Sequence, residues 1–360
     1  MKKRRVLKTP DLKSSTMTYN FRNDYAEGAH PRILRKLMET NLTQQPGYGE
    51  DDYCLQAAAL IRRHLGNADA VVHFLSGGTQ TNLIVISSLL RTHEAVISAA
   101  SGHIATHETG AIEATGHKVI TLDSPDGKLN PESILKTLRR YSSLRPHVVK
   151  PRMVYISDAT EMGTIYTRTE LEDISACCKS MDVHLFLDGA RLAQALAAEN
   201  NDLRLEDISR LTDVFYIGGT KSGALMGEAL VFNSPELAKD FDYTLKQKGA
   251  MLAKGRLLGI QFLELLTDDL YLTLAAHADR MAMKIARAVR QAGYTFLTES
   301  TTNQIFPVLP KTLIDRLSEK YLFYVWKEID DSQAAVRLIT SWATPEAAVD
   351  SFIRDLETLG

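Results

Sequence analysis

Three short polar clusters in this 360-residue chain fall where apolar runs end, and each carries side chains able to do chemistry. The first, Ser76-Gly77-Gly78-Thr79-Gln80, stands between Val71-Val72-His73-Phe74-Leu75 and a helical stretch over 82–90. Two glycines let backbone approach a ligand closely, and the free amides and dipole of the following helix hold an anion, phosphate above all. A tight turn with no ligand reads the same, and the segment matches neither of the common glycine fingerprints for nucleotides. The second cluster is Phe186-Leu187-Asp188-Gly189-Ala190-Arg191. An aspartate leaving an apolar strand is desolvated and needs a cationic partner, which a salt bridge to Arg191 would also supply. The third is Tyr216-Ile217-Gly218-Gly219-Thr220-Lys221-Ser222-Gly223. Lys221 is surrounded by small residues. Either desolvation frees a nucleophilic amine there, or the long stem carries the charge out to solvent.

Taken in order, a phosphate turn, a strand-end aspartate and a strand-end lysine suit pyridoxal phosphate. The lysine forms a Schiff base with the aldehyde, the aspartate keeps the pyridine nitrogen protonated, and the turn holds the phosphate. His103 and His107 are spaced four apart beside Glu108, which raises a metal site; no third ligand stands at suitable spacing, and none is expected.

These clusters require strand ends gathered on one edge. Apolar strands are expected at 71–75, 95–99, 118–122, 153–157, 184–187 and 214–217. Helices are expected at 52–65, 104–114, 131–141, 169–179 and 190–198. That alternation predicts an α/β fold with a mostly parallel sheet covered on both faces by helices. One long helical stretch is expected from about 249 to 291, then short strands and two helices. The expected division is a basic tail over 1–18, a large cofactor-binding domain over 19–248, a linking helical stretch over 249–291, and a small C-terminal α/β domain over 292–360.

The sequence resembles the low-specificity L-threonine aldolases, fold-type-I pyridoxal-phosphate enzymes related to the β-eliminating lyases. The markers are Phe21-Arg22-Asn23-Asp24, Gly47-Tyr48-Gly49-Glu50-Asp51, Gly77-Gly78-Thr79-Gln80-Thr81-Asn82, Asp188-Gly189-Ala190-Arg191, Thr220-Lys221 and Arg337-Leu338-Ile339-Thr340, from about Tyr19 to Thr358. The resemblance implies Lys221 as the Schiff-base lysine, Asp188 as the pyridine partner, and Gly77, Gly78 and Thr79 at the phosphate. It implies His103 stacked on the cofactor ring and Arg191 with Arg337 gripping the substrate carboxylate. Asn23 stands in place of a family serine that reaches the same carboxylate, and Tyr48 is expected near the site from a neighbouring subunit. Where the family has a histidine near the substrate hydroxyl, this chain has Glu161, within Asp158-Ala159-Thr160-Glu161-Met162-Gly163. Lys248, Lys254 and Arg256 are candidates for a phosphate contact across a dimer interface. The implied reaction is retro-aldol cleavage of L-β-hydroxy-α-amino acids to glycine and an aldehyde, with β-elimination or transamination as alternatives on the same residues. A non-catalytic cofactor-binding protein is the alternative of another class.

Composition narrows the partners. Lys and Arg number 42 against 44 Asp and Glu, a net charge of −2, so no whole-chain attraction to nucleic acid or membrane is expected. No apolar run nears the roughly 18 residues of a membrane span. Cys54, Cys177 and Cys178 are too few and too poorly spaced for a disulfide framework, which points to a reducing, cytoplasmic setting. The partners expected are an amino-acid substrate and further copies of the chain, as dimer or tetramer. Tyr19, Phe21, Tyr25, Trp326 and Trp342 read as packing. The basic tail reads as solvated and mobile, with a targeting address as the alternative.

Overall fold

The computed structural model describes residues 19–360, so the basic tail lies outside the described residues. The larger sheet has seven strands: β1 (Val71–Leu75), β2 (Glu94–Ala99), β3 (Lys118–Leu122), β4 (Lys150–Ser157), β5 (His184–Asp188), β6 (Val214–Gly218) and β7 (Glu228–Phe232), in the order β1-β7-β6-β5-β4-β2-β3. The pairs among β2 to β6 are parallel, and only β7 runs against its neighbours β6 and β1. The expected mostly parallel α/β sheet is therefore present. β7 was missed because its five apolar-rich residues follow the Lys221 cluster without a helix between them.

Both faces of the sheet are buried, so alternate residues feed opposite cores. Leu185 and Leu187 belong to one apolar cluster, while Tyr155, Phe186 and Tyr216 belong to the other. The carboxyl ends of β1, β2, β4, β5 and β6 share an edge with the first residue of β7. Leu75 and Gly218 both pair in register with Glu228. The crossing from β5 toward β6 is tight: a Cβ on Gly189 would lie 1.8 Å from the Tyr216 carbonyl oxygen, so only glycine fits there.

The expected single helix over 249–291 is two. Arg256–Leu265 ends before Asp268 and Asp269, both at positive φ (56° and 53°), and Leu270–Gln291 follows. Aspartate tolerates the left-handed region better than most side chains, so this pair can break a helical pattern without glycine or proline. The second helix serves both cores. Leu270, Tyr271 and Leu274 pack with the large sheet, while Met281, Ile285 and Val289 pack with Leu338, Val349 and Phe352 of the C-terminal part. There a five-stranded antiparallel sheet is built around Gln333–Ile339, which pairs with Gln304–Ile305, Pro307–Pro310 and Tyr324–Glu328. The N-terminal segment joins this part: Tyr19–Asn20 pairs with Tyr321–Leu322, and the Ile339 amide donates to the Phe21 carbonyl at 2.9 Å. Residues 22–24 are thereby held beside the strand that carries Arg337.

Candidate active site

The shared strand edge brings together Gly77–Thr79 after β1, His103 after β2, Glu161 after β4, Asp188 ending β5, Lys221 after β6 and Glu228 opening β7. Gly77 precedes the helix Gly78–Leu89 with no side-chain cap, which leaves the first-turn amides open to an anion. The Gln80 side chain braces the turn by accepting from the Ser76 amide (3.2 Å) and hydroxyl (2.9 Å).

Asp188 is 3% exposed and makes no ion pair with Arg191. Instead it accepts hydrogen bonds from the Tyr155 and Tyr216 phenols, Asn82 Nδ2 (3.1 Å) and the Ala190 amide (3.0 Å). Burial pushes its pKa up, but the charge of His103 and the phenol donors outweigh it and hold the carboxyl below its usual range. Asn82 also donates to Glu108 Oε1 at 2.8 Å, and the same oxygen meets His103 Nδ1 at 2.8 Å. Glu108 therefore orients His103. The helix expected over 104–114 is one turn, His103–Thr106, followed by irregular chain. The His103 and His107 rings stack at 5.6 Å and 18°, with no cluster of three or more metal-ligating side chains among the described residues.

Lys221 lies among charges. Burial lowers its pKa and the Arg191 guanidinium lowers it further, against the opposing charges of Asp24, Asp188 and Glu228, so a larger share of the amine is neutral than in water. Glu228, which the sequence reading missed, accepts from the Gly219 amide (3.1 Å) and the Thr220 hydroxyl (2.9 Å). Burial raises its carboxyl to about 8, with the charge of Lys221 opposing. It ties down the loop that carries the lysine.

Arg191 is held by Asp24 in a bidentate pair, Nε to Oδ2 at 2.7 Å and Nη2 to Oδ1 at 3.0 Å. Asp24 is fully buried and also accepts from Asn303 Nδ2 at 2.9 Å. The fork is thus fixed on one edge, and Nη1 makes no hydrogen bond among the described residues. Arg337 faces the opposite situation. Its Nε is buried with no hydrogen-bond partner among the described residues, and its guanidinium lies over the rings of Trp326 (4.6 Å) and Tyr324 (5.6 Å). Burial and the neighbouring charge of Arg191 lower its pKa to about 10. The two guanidinium groups thus stand close enough to repel one another, and Arg337 makes no ion pair or hydrogen bond among the described residues. Trp326, read as packing, does pack on Phe306 at 5.4 Å, but it also backs Arg337.

Glu161 Oε1 accepts from the Ser157 hydroxyl (2.8 Å) and the His103 amide (3.0 Å), while Oε2 is buried and takes no hydrogen bond from the described residues. Burial and then the negative charge of Asp188 raise its pKa. Asn23 sits beside Asp24, with its side-chain oxygen accepting from the Tyr25 amide at 3.1 Å. Tyr48 is not drawn into this constellation within one chain: it is 53% exposed, at φ 61°, with the Lys246 ammonium 4.2 Å over its ring. Arg256 donates to the carbonyls of Thr40 and Thr43 and is committed to holding that loop, while Lys248 and Lys254 make no ion pair among the described residues.

The chain is similar to known proteins in sequence and in fold. The profile of the beta-eliminating lyase family matches residues 20–311. The chain belongs to that family. It is 32% identical to a low specificity L-threonine aldolase of Pseudomonas aeruginosa over 343 residues, which cover 94% of this chain and 97% of the relative. Among solved structures it resembles a Leishmania major threonine aldolase, with a TM-score of 0.93 and 49% identity over 95% of this chain and 99% of the other. It shares its fold alone with a Thermus thermophilus aspartate aminotransferase, at a TM-score of 0.70 and 14% identity over 95% and 91% of the two chains.

Proposed function

We propose that the protein is a pyridoxal-phosphate-dependent aldehyde-lyase that cleaves L-threonine, L-allo-threonine or related L-β-hydroxy-α-amino acids to glycine and an aldehyde. The observation that carries this reading is the strand edge itself. It places an uncapped, glycine-opened helix start, a buried ionised aspartate and a desolvated lysine together, in a family that includes threonine aldolases. The residues fit the cofactor: Gly77, Gly78 and Thr79 offer amides to a phosphate, Asp188 offers a carboxylate to a ring nitrogen, His103 offers a ring face, and Lys221 offers an amine. When bound, the cofactor supplies an aldehyde that takes up amines and a ring that draws off the electrons of the broken bond.

The chain's own residues do the rest. Arg191 Nη1 and the unpaired Arg337 hold the substrate carboxylate, with Asn23 beside them, and this fixes the direction of the Cα–Cβ bond. Glu161 Oε2 removes the β-hydroxyl proton. The O–H electrons become the carbonyl of the leaving aldehyde, and the electron pair left at Cα by the broken Cα–Cβ bond takes up a proton to give glycine. A carboxylate with one buried, unpartnered oxygen and a raised pKa is a stronger base than a solvated glutamate.

The reading extends to assembly and setting. The protein is a homo-oligomer, dimer or tetramer, with sites near subunit interfaces. In support, Leu34, Met38, Leu42, Leu55 and Tyr48 are exposed, with Met38 and Leu42 at 79% and 91%. Lys248 or Lys254 is the candidate for a phosphate contact from a neighbouring copy. The three free, buried cysteines fit a cytoplasmic setting. The functional division is 19–248, 249–291 and 292–360, and the described residues contain no helix long and apolar enough to cross a membrane. The test is incubation of cofactor-loaded protein with L-threonine and L-allo-threonine. Glycine and acetaldehyde in equal amounts are expected; ammonia with a keto acid and no glycine would overturn the reading.

A further inference from the structure

Asp188 has more donors than a lone counter-ion needs. Oδ1 accepts from the Tyr216 phenol and the Ala190 amide, and Oδ2 from the Tyr155 phenol and Asn82. A carboxylate offers about four acceptor positions, and four protein donors already share them, so a ring N–H⁺ must compete with those donors for the same two oxygens. The phenols come from the two strands flanking β5, on the face that also carries Phe186, whose ring lies between theirs at 5.6 and 6.4 Å. Both tyrosines are essentially fully buried, and burial with the charge of Asp188 keeps them protonated as neutral donors. Tyr216 also reaches the phosphate turn, since a Cβ on Gly78 would stand 3.0 Å from its hydroxyl oxygen.

We propose that Tyr155 and Tyr216 are positioning residues that temper Asp188: by donating to the same two oxygens, they weaken its hold on the protonated ring nitrogen of pyridoxal phosphate and so set how strongly the ring draws electrons. The inference rests on the cofactor assignment above. Its physical basis is charge sharing. An O–H donor bonds best to a full carboxylate charge and less well once a ring N–H⁺ neutralises that charge. The phenols therefore favour the free carboxylate over the paired one. Removing either hydroxyl leaves Asp188 a stronger acceptor for the ring, while the aromatic ring that fills the core stays in place.

The test compares the Kd of pyridoxal phosphate with that of its analogue carrying CH in place of the ring nitrogen. The ratio, analogue over cofactor, isolates what the nitrogen contributes, because a general disturbance of the site moves both constants together. In Tyr155→Phe and in Tyr216→Phe the ratio should rise by roughly threefold to tenfold, the scale of one hydrogen bond. A 3-fluorotyrosine at position 216 keeps the hydroxyl and makes it a stronger donor. It should lower the ratio, and it remains informative if a phenylalanine variant fails to fold. Ratios that stay level, or that move the other way, overturn the inference. Wild-type protein that binds neither compound contradicts the cofactor assignment and the inference with it, whereas level ratios with tight wild-type binding contradict the inference alone.

Discussion

The two sides of the strand edge are finished differently. On the side assigned to the cofactor, Asp188 has four donors and His103 is held by Glu108. Beside it, Arg191 is clamped by Asp24, which is itself held by Asn303. On the side assigned to the substrate, Glu161 Oε2 and Arg337 Nε are buried and unpartnered. Buried polar atoms without partners are costly, and under the proposed function these two, of opposite sign, meet complementary groups of the substrate. A β-hydroxy-α-amino acid carries both: a hydroxyl for the carboxylate and a carboxylate for the guanidinium. The contrast lies in the reacting groups and not in every atom: Asp188 has four donors and Arg191 a bidentate partner, while Glu161 Oε2 and Arg337 Nε have none, although Asn82 Oδ1, Glu108 Oε2 and Asn303 Oδ1 nearby are also buried without partners.

That contrast can be broken from either side. The largest effect is expected from Lys221→Ala, which removes the amine itself: turnover should fall by roughly 10⁴-fold or more with the fold intact, measured as aldehyde release and by circular dichroism. Near-wild-type release would reassign the lysine. Among the partnered groups, Asp24→Asn leaves Arg191 with a buried, uncompensated charge and should lower stability by about 3–5 kcal/mol in denaturant titrations. An unchanged midpoint would mean that the Arg191 charge has another partner. Among the unpartnered ones, Arg337→Lys keeps the charge but not the fork. It should lower kcat/KM by roughly 10- to 100-fold, mostly through KM, while stability changes little because no hydrogen bond or ion pair to the protein is lost and only the stacking on Trp326 and Tyr324 is weakened.

The smallest effects are in pH. Glu161 must be ionised to accept a proton, and its pKa is raised, so cleavage should fall with decreasing pH through a limb lying above that of an ordinary glutamate. Arg337 holds a carboxylate only while charged, so KM should rise as pH climbs through about 10. A kcat profile flat on the acid side, or a KM flat on the alkaline side, would detach these residues from the roles given.

Part of this was legible in the sequence: each polar cluster had an innocent reading alone, and it was their order along the chain, each at the end of an apolar run, that singled them out. Asp188, Lys221 and the Gly77–Gly78 turn stood out that way, and the alternation of apolar runs with helical patterns gave the sheet. The rest was hidden by burial. Tyr155 and Tyr216 sit inside apolar strands and read as core, which they are up to the hydroxyl. Glu228 follows Gly227 with no helix to announce a strand. The partners of Arg191 depend on Asp24, some 167 residues away, and spacing carries no sign of that pairing. The break at Asp268–Asp269 turns on backbone angles that aspartate permits without demanding.

The claim that Glu161 is the group held in readiness for the substrate hydroxyl is tested most directly by Glu161→Gln, with cofactor Kd and single-turnover cleavage measured on the same preparation. Glutamine keeps the contacts near Ser157 and the His103 amide but removes the basic oxygen. Cofactor affinity should stay within about twofold while cleavage falls by roughly 10²–10⁴-fold and the acid limb of its pH profile disappears. Cleavage within a few-fold of wild type, with the acid limb unchanged, would contradict the account and move the proton to another base.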